Sequence, residues 1–283
     1  MDKRALKWGA LGLVAGTGLV LLDALFLEQY FFRVKEFDIG IRGGQQKRKL
    51  LLLTDLHLKK HLSPFHAKLA RRINRIQPHL ILISGDMLDD DGKADVMEQF
   101  LGAIHHHIPK AAIMGNHDHR ADVPNEVIEH IYQKYNCRLL VNQSHPFELD
   151  GVRIMVTGLD DFIESTHCFT EAVAQVGYEE HHLLLVHSPL QQEQAMADME
   201  SINAKRPQSE RLNITYIFAG HNHGGQVRFF GYAPVLPEMS GNYVNGWYNS
   251  RFPLLYVSKG FGTTSRPVRF GARSEITLFN YFA

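Results

Sequence analysis

Five segments of the chain end in residues that bind metals or move protons: Asp55-Leu56-His57, Gly85-Asp86, Gly115-Asn116-His117-Asp118, His187 and Gly220-His221-Asn222-His223. Asp55 and Asp86 offer carboxylate oxygen. His57, His187, His221 and His223 offer imidazole nitrogen, and Asn116 offers an amide oxygen, with no thiolate among them. A nitrogen and oxygen set of this size exceeds one tetrahedral zinc. It suits two divalent ions of the manganese, iron, zinc or cobalt type, and a carboxylate such as Asp86 can bridge them. Two such ions about 3.5–4 Å apart hold a hydroxide between them and clamp the attacking and leaving oxygens of a phosphoryl displacement. Any one of these residues alone reads as an ordinary loop residue at a strand end. The chemistry resides in the set.

The elements that must position them alternate. Apolar runs at 50–55, 79–86 and 111–118 predict strands, separated by helices over 64–76, about 93–105 and about 124–135. Ser63-Pro64 opens the first of these helices as N-cap and first helical residue. The second half predicts a hairpin over 147–159 turning at Asp150-Gly151, then strands at 182–189, 214–223, 226–230, 253–259 and 275–282. This pattern predicts an α/β fold built of βαβ units, two sheets with helices outside, in one domain over 49–283. The carboxyl ends of parallel strands share one edge, where such folds carry their sites. In D-x-H and H-x-H, the strand period sends both outer side chains to one side.

The ordered set D-x-H, GD, GNHD, H and GHxH resembles the calcineurin-like metallophosphoesterase superfamily. The run GHNHGGQ, the run PVRFGARSEIT over 267–277 and the N-terminal apolar segment are similar to its bacterial membrane-associated branch. The resemblance covers about residues 48–280. It implies a two-sheet αββα sandwich and a metal-dependent hydrolase of phosphoester or phosphoanhydride bonds. It implies Asp55, His57 and His223 on one metal, Asn116, His187 and His221 on the other, and Asp86 between them, with manganese, zinc or iron as the ions. By the same resemblance His117 contacts the phosphate and assists the leaving oxygen, and Asp118 orients His117. Asn222 stands where the family often has Thr, at a position pointing away from the metals. Arg266, Arg269 and Arg273 are candidates for a substrate phosphate, since guanidinium forks match phosphate oxygens, against the alternative of structural ion pairs. Asp89, Asp90 and Asp91 read as a solvated loop, and Gly224, Gly225 and Gln226 as a tight turn beside the metals.

Residues 1–30 differ from the rest. No charge falls between Trp8 and Leu22, and the apolar stretch from Ala5 to Leu27 is long enough to cross a bilayer. Lys3, Arg4 and Lys7 favour an N-inside orientation, with Trp8 and Tyr30 to Phe32 as interfacial anchors. No small-x-small cleavage site follows, so an uncleaved anchor is expected, spanning or lying on one leaflet, with 31–48 as a linker and first strand. The 30 basic and 30 acidic residues balance, which argues against a duplex nucleic-acid partner. Cys137 and Cys168 fit no zinc spacing and leave open whether they pair. The expected partners are the lipid bilayer and a phosphorylated or lipid-linked small molecule, in a phosphodiester or pyrophosphate. A UDP-2,3-diacylglucosamine pyrophosphatase is one alternative, although an N-inside span counts against its cytoplasmic substrate. A non-catalytic binding module on the same fold is an alternative of another class, and the full ligand set argues against it.

Overall fold

In strand β2 (Lys47–Leu53), consecutive leucines serve different cores. Leu50 and Leu52 face a second sheet, whereas Leu51 and Leu53 face helices. Period-two alternation with both sets apolar is what a strand buried on both faces requires. The computed structural model describes residues 3–40, 44, 46–264 and 267–283.

The first sheet runs in the order β1 (Arg33–Gly40), β12 (Glu275–Phe282), β2, β3 (Leu80–Ser84), β4 (Lys110–Ile113) and β5 (Cys137–Leu139). The second runs β10 (Gly246–Tyr248), β11 (Leu254–Val257), β9 (Ile214–Ala219), β8 (His182–Leu185), β7 (Val152–Gly158) and β6 (Gln143–Leu149). Phe147, Ile154, Leu183, Phe218 and Phe279 meet Leu50, Leu52 and Leu82 between the sheets. Helices α3 (Pro64–Ile76), α4 (Ala94–Gly102) and α6 (Asn125–Lys134) cover the outer face of the first sheet. Helices α7 (Phe169–Ala172) and α8 (Gln191–Lys205) cover the second. The αββα sandwich is therefore present. Both sheets are mixed but mostly parallel: seven of the ten strand pairs among the described residues are parallel, while β12 runs antiparallel to β2, β6 to β7 and β10 to β11.

Local signals explain several boundaries. Ser63 caps α3, its Oγ accepting from the backbone N–H of His66, and Gln77 ends the helix in the left-handed region. The hairpin β6–β7 turns at Asp150-Gly151, both at positive φ. The predicted strand at 226–230 is absent. Gln226, Phe230 and Gly231 take positive φ, which breaks the extended run and leaves isolated bridges. Helix α8 carried little sequence signal, because only Gln191, Gln192 and Ala195 of its residues are buried. Cys137 and Cys168 are both free thiols.

The N-terminal segment is helical: α1 (Lys3–Leu22), a π-helical stretch (Asp23–Leu27) and α2 (Glu28–Tyr30). Lys7–Tyr30 is long and apolar enough to cross a membrane, and most of it lies clear of the sandwich. Its foot is tied down. The Glu28 carboxylate accepts from the backbone N–H groups of Gly271 at 2.8 Å and Ala272 at 3.0 Å, and Arg269 N–H donates to the Ala24 carbonyl at 2.9 Å. The segment expected as linker and first strand contributes β1, an edge strand in parallel register with β12 from Arg33↔Glu275 to Gly40↔Phe282.

Candidate metal centre

The ligand-type residues sit just past β2, β3, β4, β8 and β9, where the strands hand over to loops. Asp55, His57, Asp86, His221 and His223 all have positive φ, between 47° and 70°. Bulky residues avoid this region, and such positions concentrate at functional sites. The glycines of the GN and GH motifs have a steric reason. A Cβ on Gly115 would lie 2.3 Å from Asp86 Oδ1, and one on Gly220 would lie 1.9 Å from Thr54 Oγ1. Only a bare backbone lets the carboxylates of neighbouring strands come so close.

Three clusters of ligand-type side chains result among the described residues: His57, Asp89 and His117 form one, and the predicted ligands form the other two. Asp55, His57 and His223 bring one ligand atom each within 4.8 Å of one another, and so do Asp86, His187 and His221. Asp86 Oδ2 joins them, 3.5 Å from His57 Nε2 and 3.1 Å from His187 Nε2. His57 Nε2 and His223 Nε2 are 3.1 Å apart. Two ligand atoms each about 2.1 Å from one ion are separated by about 3.0–3.4 Å for angles between octahedral and tetrahedral. The spacings therefore fit ligands of shared cations. Asn116 Oδ1 and His187 Nε2 are buried and lack a hydrogen-bond partner, which is costly unless an ion uses them.

Hydrogen bonds behind the ligands set their tautomers. His187 Nδ1 donates to the Ser84 carbonyl at 2.8 Å, leaving Nε2 bare. His221 does the reverse: its Nε2 donates to the Glu238 carbonyl at 2.7 Å and frees Nδ1. Such partners orient ligands and raise their basicity. Asp55 accepts from His221 N–H at 2.9 Å and from Thr54 Oγ1 at 2.8 Å. Asp86 Oδ1 accepts from His117 N–H at 2.9 Å, reserving Oδ2 for the centre. Asn222 points away, as expected, with its amide held by Ser240 Oγ and the Tyr243 carbonyl.

Around His117 the structure departs from the expectation. Asp118 does not orient it. The buried Asp118 carboxylate accepts from the backbone N–H groups of Gly115, Met87 and Leu88 and so ties two site loops together. Burial and the Asp86 charge raise its pKa to about 6. The carboxylates at His117 belong to the expected solvated loop: Asp90 Oδ1 is 2.6 Å and Asp89 Oδ1 3.4 Å from His117 Nδ1. Burial opposes the charged form of this imidazole, but Asp89, Asp86 and Asp90 together raise its pKa to about 9. Asp89 is buried, lies 3.7 Å from His57 Nδ1 and pairs with Lys59 at 3.0 Å, so it backs a ligand. Asp91 is exposed and pairs only loosely with Lys60 at 3.7 Å.

The arginine candidates also change. Arg269 is fully buried, and its guanidinium donates to the carbonyls of Lys259, Gly262 and Ala272, with Nη2 3.1 Å from His223 Nδ1. It supports the loops behind the centre and has no face left for a substrate. Arg273 faces Asp23 at 3.9 Å, at the helix foot. Arg266 lies outside the described residues. Instead Arg120, which the sequence reading missed, lines the cavity with His117. The signal lay three residues past His117 on the short helix α5 (Asn116–Arg120), a spacing that shares a face. Its Nε also donates to Glu164 at 2.6 Å.

The cavity over the centre measures about 630 Å³. Asn116, His117, His221 and His223 form its polar side, and Val227, Pro234, Val235 and Leu236 form an apolar wall.

Comparison with known proteins agrees with this geometry. Residues 48–225 match the family model described as calcineurin-like phosphoesterase. The "uncharacterized metallophosphoesterase YkuE" of Bacillus subtilis is 27% identical over 97% of this chain and 93% of its own length. The "uncharacterized protein YpbG" of the same organism is 26% identical over 93% and 94%. A bovine "transmembrane protein with metallophosphoesterase domain" is 26% identical over 81% of this chain and 52% of its own.

Proposed function

Because the chain belongs to the calcineurin-like phosphoesterase family and is therefore a metal-dependent phosphoester hydrolase using two divalent metals, we propose that it cleaves a phosphodiester or pyrophosphate of an amphiphilic molecule at a membrane surface. The observation that carries this reading is the composition of one cavity: the polar metal side faces an apolar wall of Val227, Pro234, Val235 and Leu236. A phosphate with an apolar substituent complements both halves, whereas a free phosphate leaves the wall unused.

Asp55, His57 and His223 would hold one ion, Asn116, His187 and His221 the other, and Asp86 both. Bound there, the ions supply an activated water and neutralise charge on the phosphoryl oxygens. His117, positioned by Asp89 and Asp90, gives the leaving oxygen a proton donor. Arg120, whose Nε and Nη2 hold Glu164, offers Nη1 to a phosphate oxygen at the cavity edge. Lys7–Tyr30 anchors the chain in a bilayer, N-terminus inside, so the hydrolase domain works on the outer side of that membrane.

The test is hydrolysis by the detergent-purified chain after chelation and add-back of manganese, zinc or magnesium. Generic phosphodiester, phosphomonoester and lipid-linked pyrophosphate substrates run side by side, with Asp86→Ala as control. Metal-dependent turnover that favours the amphiphilic diester or anhydride supports the reading. Preference for a water-soluble monoester overturns it.

A further inference from the structure

The segment that walls the cavity also carries an exposed aromatic tip. Phe229 and Tyr232 exchange backbone hydrogen bonds, each 2.9 Å, and close a two-residue turn. Its corners are Phe230 at φ 50° and Gly231 at φ 89°. Such turns favour Asn-Gly, and a phenylalanine at positive φ is unfavourable. Yet Phe230 stands there fully exposed, flanked by exposed Phe229, Tyr232 and Val235. Arg228 locks the turn by donating to the Gly231 carbonyl at 2.7 Å.

This tip lies beside the foot of the apolar helix. Arg228 N–H donates to the Phe270 carbonyl at 2.7 Å, Phe270 N–H donates to Gln226 at 2.9 Å, and the Phe229 and Phe270 rings stand 5.6 Å apart. The neighbours of Phe270 are the residues that grip the helix foot: Arg269 holds the Ala24 carbonyl, and Gly271 and Ala272 hold Glu28. One short segment thus bonds to the foot of the helix and to the base of the tip. The foot also borders a basic groove in which Lys68, Arg71, Arg72 and Arg75 line up with Tyr30 and Phe32. Exposed aromatics next to an apolar helix, with cations close by, match an interface of acyl chains and anionic headgroups.

We propose that the Phe229–Tyr232 tip inserts into the same bilayer surface as the helix foot, as a second membrane contact that seats the mouth of the metal cavity at the lipid. The occupant is a lipid surface. The proposal rests on the reading of Lys7–Tyr30 as a membrane anchor.

Spin-label accessibility on the full chain tests it, in vesicles of phosphatidylcholine and phosphatidylglycerol and a Cys168→Ser background. Labels replace Val14 on the helix, Phe230 on the tip and Tyr178 on a remote exposed surface. Support requires Phe230→Cys to match Val14→Cys, relaxed by oxygen and shielded from a water-soluble nickel chelate, while Tyr178→Cys stays open to the chelate. A lipid-shielded Val14 label with a chelate-accessible Phe230 label overturns the tip and leaves the anchor standing. Chelate access at both sites overturns the anchor and the tip together. A Phe230 label immobilised but shielded from oxygen assigns the tip to a protein contact and also overturns the proposal. As a functional arm, Phe230→Ser with Tyr232→Ser should keep turnover of a water-soluble phosphodiester while losing about tenfold on a vesicle-embedded one. Equal turnover of both substrates, or equal loss, counts against it.

Discussion

The Nε2 atoms of His57 and His223 point at one another across 3.1 Å, with Asp55 and Asp86 beside them at 3.5 Å. Two facing imidazoles repel unless a proton or a cation lies between them, and the carboxylates supply the negative charge that favours a cation. Ion binding should therefore stabilise the fold. At a thousandfold excess over Kd, one site adds about 4 kcal/mol. Calorimetry of the chain with a chelator, and again after manganese or zinc add-back, should show a fall and recovery of Tm. A Tm indifferent to both would contradict the assignment.

Asp86 Oδ2 faces an imidazole nitrogen of each predicted-ligand cluster, His57 Nε2 and His187 Nε2. Asp86→Ala should lower turnover by about a thousandfold or more, the scale of losing a preorganised charge at a reacting centre. Metal analysis of the purified variant should give fewer than two ions per chain. Full metal content with full activity would remove Asp86 from the centre.

Asp89 and Asp91 are two residues apart and should behave differently. Asp89 backs His57 and His117, so Asp89→Asn should weaken metal affinity by about 10–100-fold. Asp91→Asn, changing an exposed carboxylate, should alter nothing measurable. Metal titrations of the two variants settle the contrast, and equal effects would return Asp89 to the role of a solvated loop residue.

Arg120 and Arg269 separate binding from support. Arg120→Ala should raise KM for a phosphodiester and leave Tm within a few degrees of the parent. Arg269→Met leaves three carbonyls, one buried and two partly buried, short of donors and should cost about 3 kcal/mol in a denaturant melt. A KM effect from Arg269→Met without loss of stability would restore it as a substrate residue.

His66 and His182 give the fold an acid limit outside the metal ligands. Burial lowers each pKa from 6.5 to about 4, and both are held neutral, His182 against Thr157 Oγ1 at 2.7 Å and His66 against the Leu56 carbonyl at 3.0 Å. Between those values the unfolded chain is protonated at these sites and the folded chain is not. Their contribution is complete above about pH 6.5 and is lost as pH falls toward 4, on the order of 3 kcal/mol per site. Denaturant midpoints at pH 7.5 and 5 should show the drop, and His182→Leu should flatten part of it. An unchanged pH slope in that variant would exclude the site.

The ligand-type residues and the strands they follow could be read from the chain because both are local. Asp55, Asp86, Asn116, His187 and His221 each follow an apolar run, and parallel packing sends those ends to one edge whatever the side-chain detail. The αββα layering followed from the same runs, since β2 must bury both faces. The direction of β12 did not, because antiparallel and parallel neighbours present the same apolar pattern. The roles around His117 were likewise hidden. Asp118 is its sequence neighbour, but on the first turn of a helix its carboxylate reaches back to the buried N–H groups of Gly115, Met87 and Leu88, and Asp89 and Asp90 arrive from another loop. Arg269 shows the same divide. Its charge is written in the sequence, but whether a guanidinium meets solvent or three carbonyls depends on loops far apart in the chain. Residue chemistry and its order are properties of the polymer. Which donor finds which acceptor is a property of packing, because competing partners become comparable only once their distances are fixed.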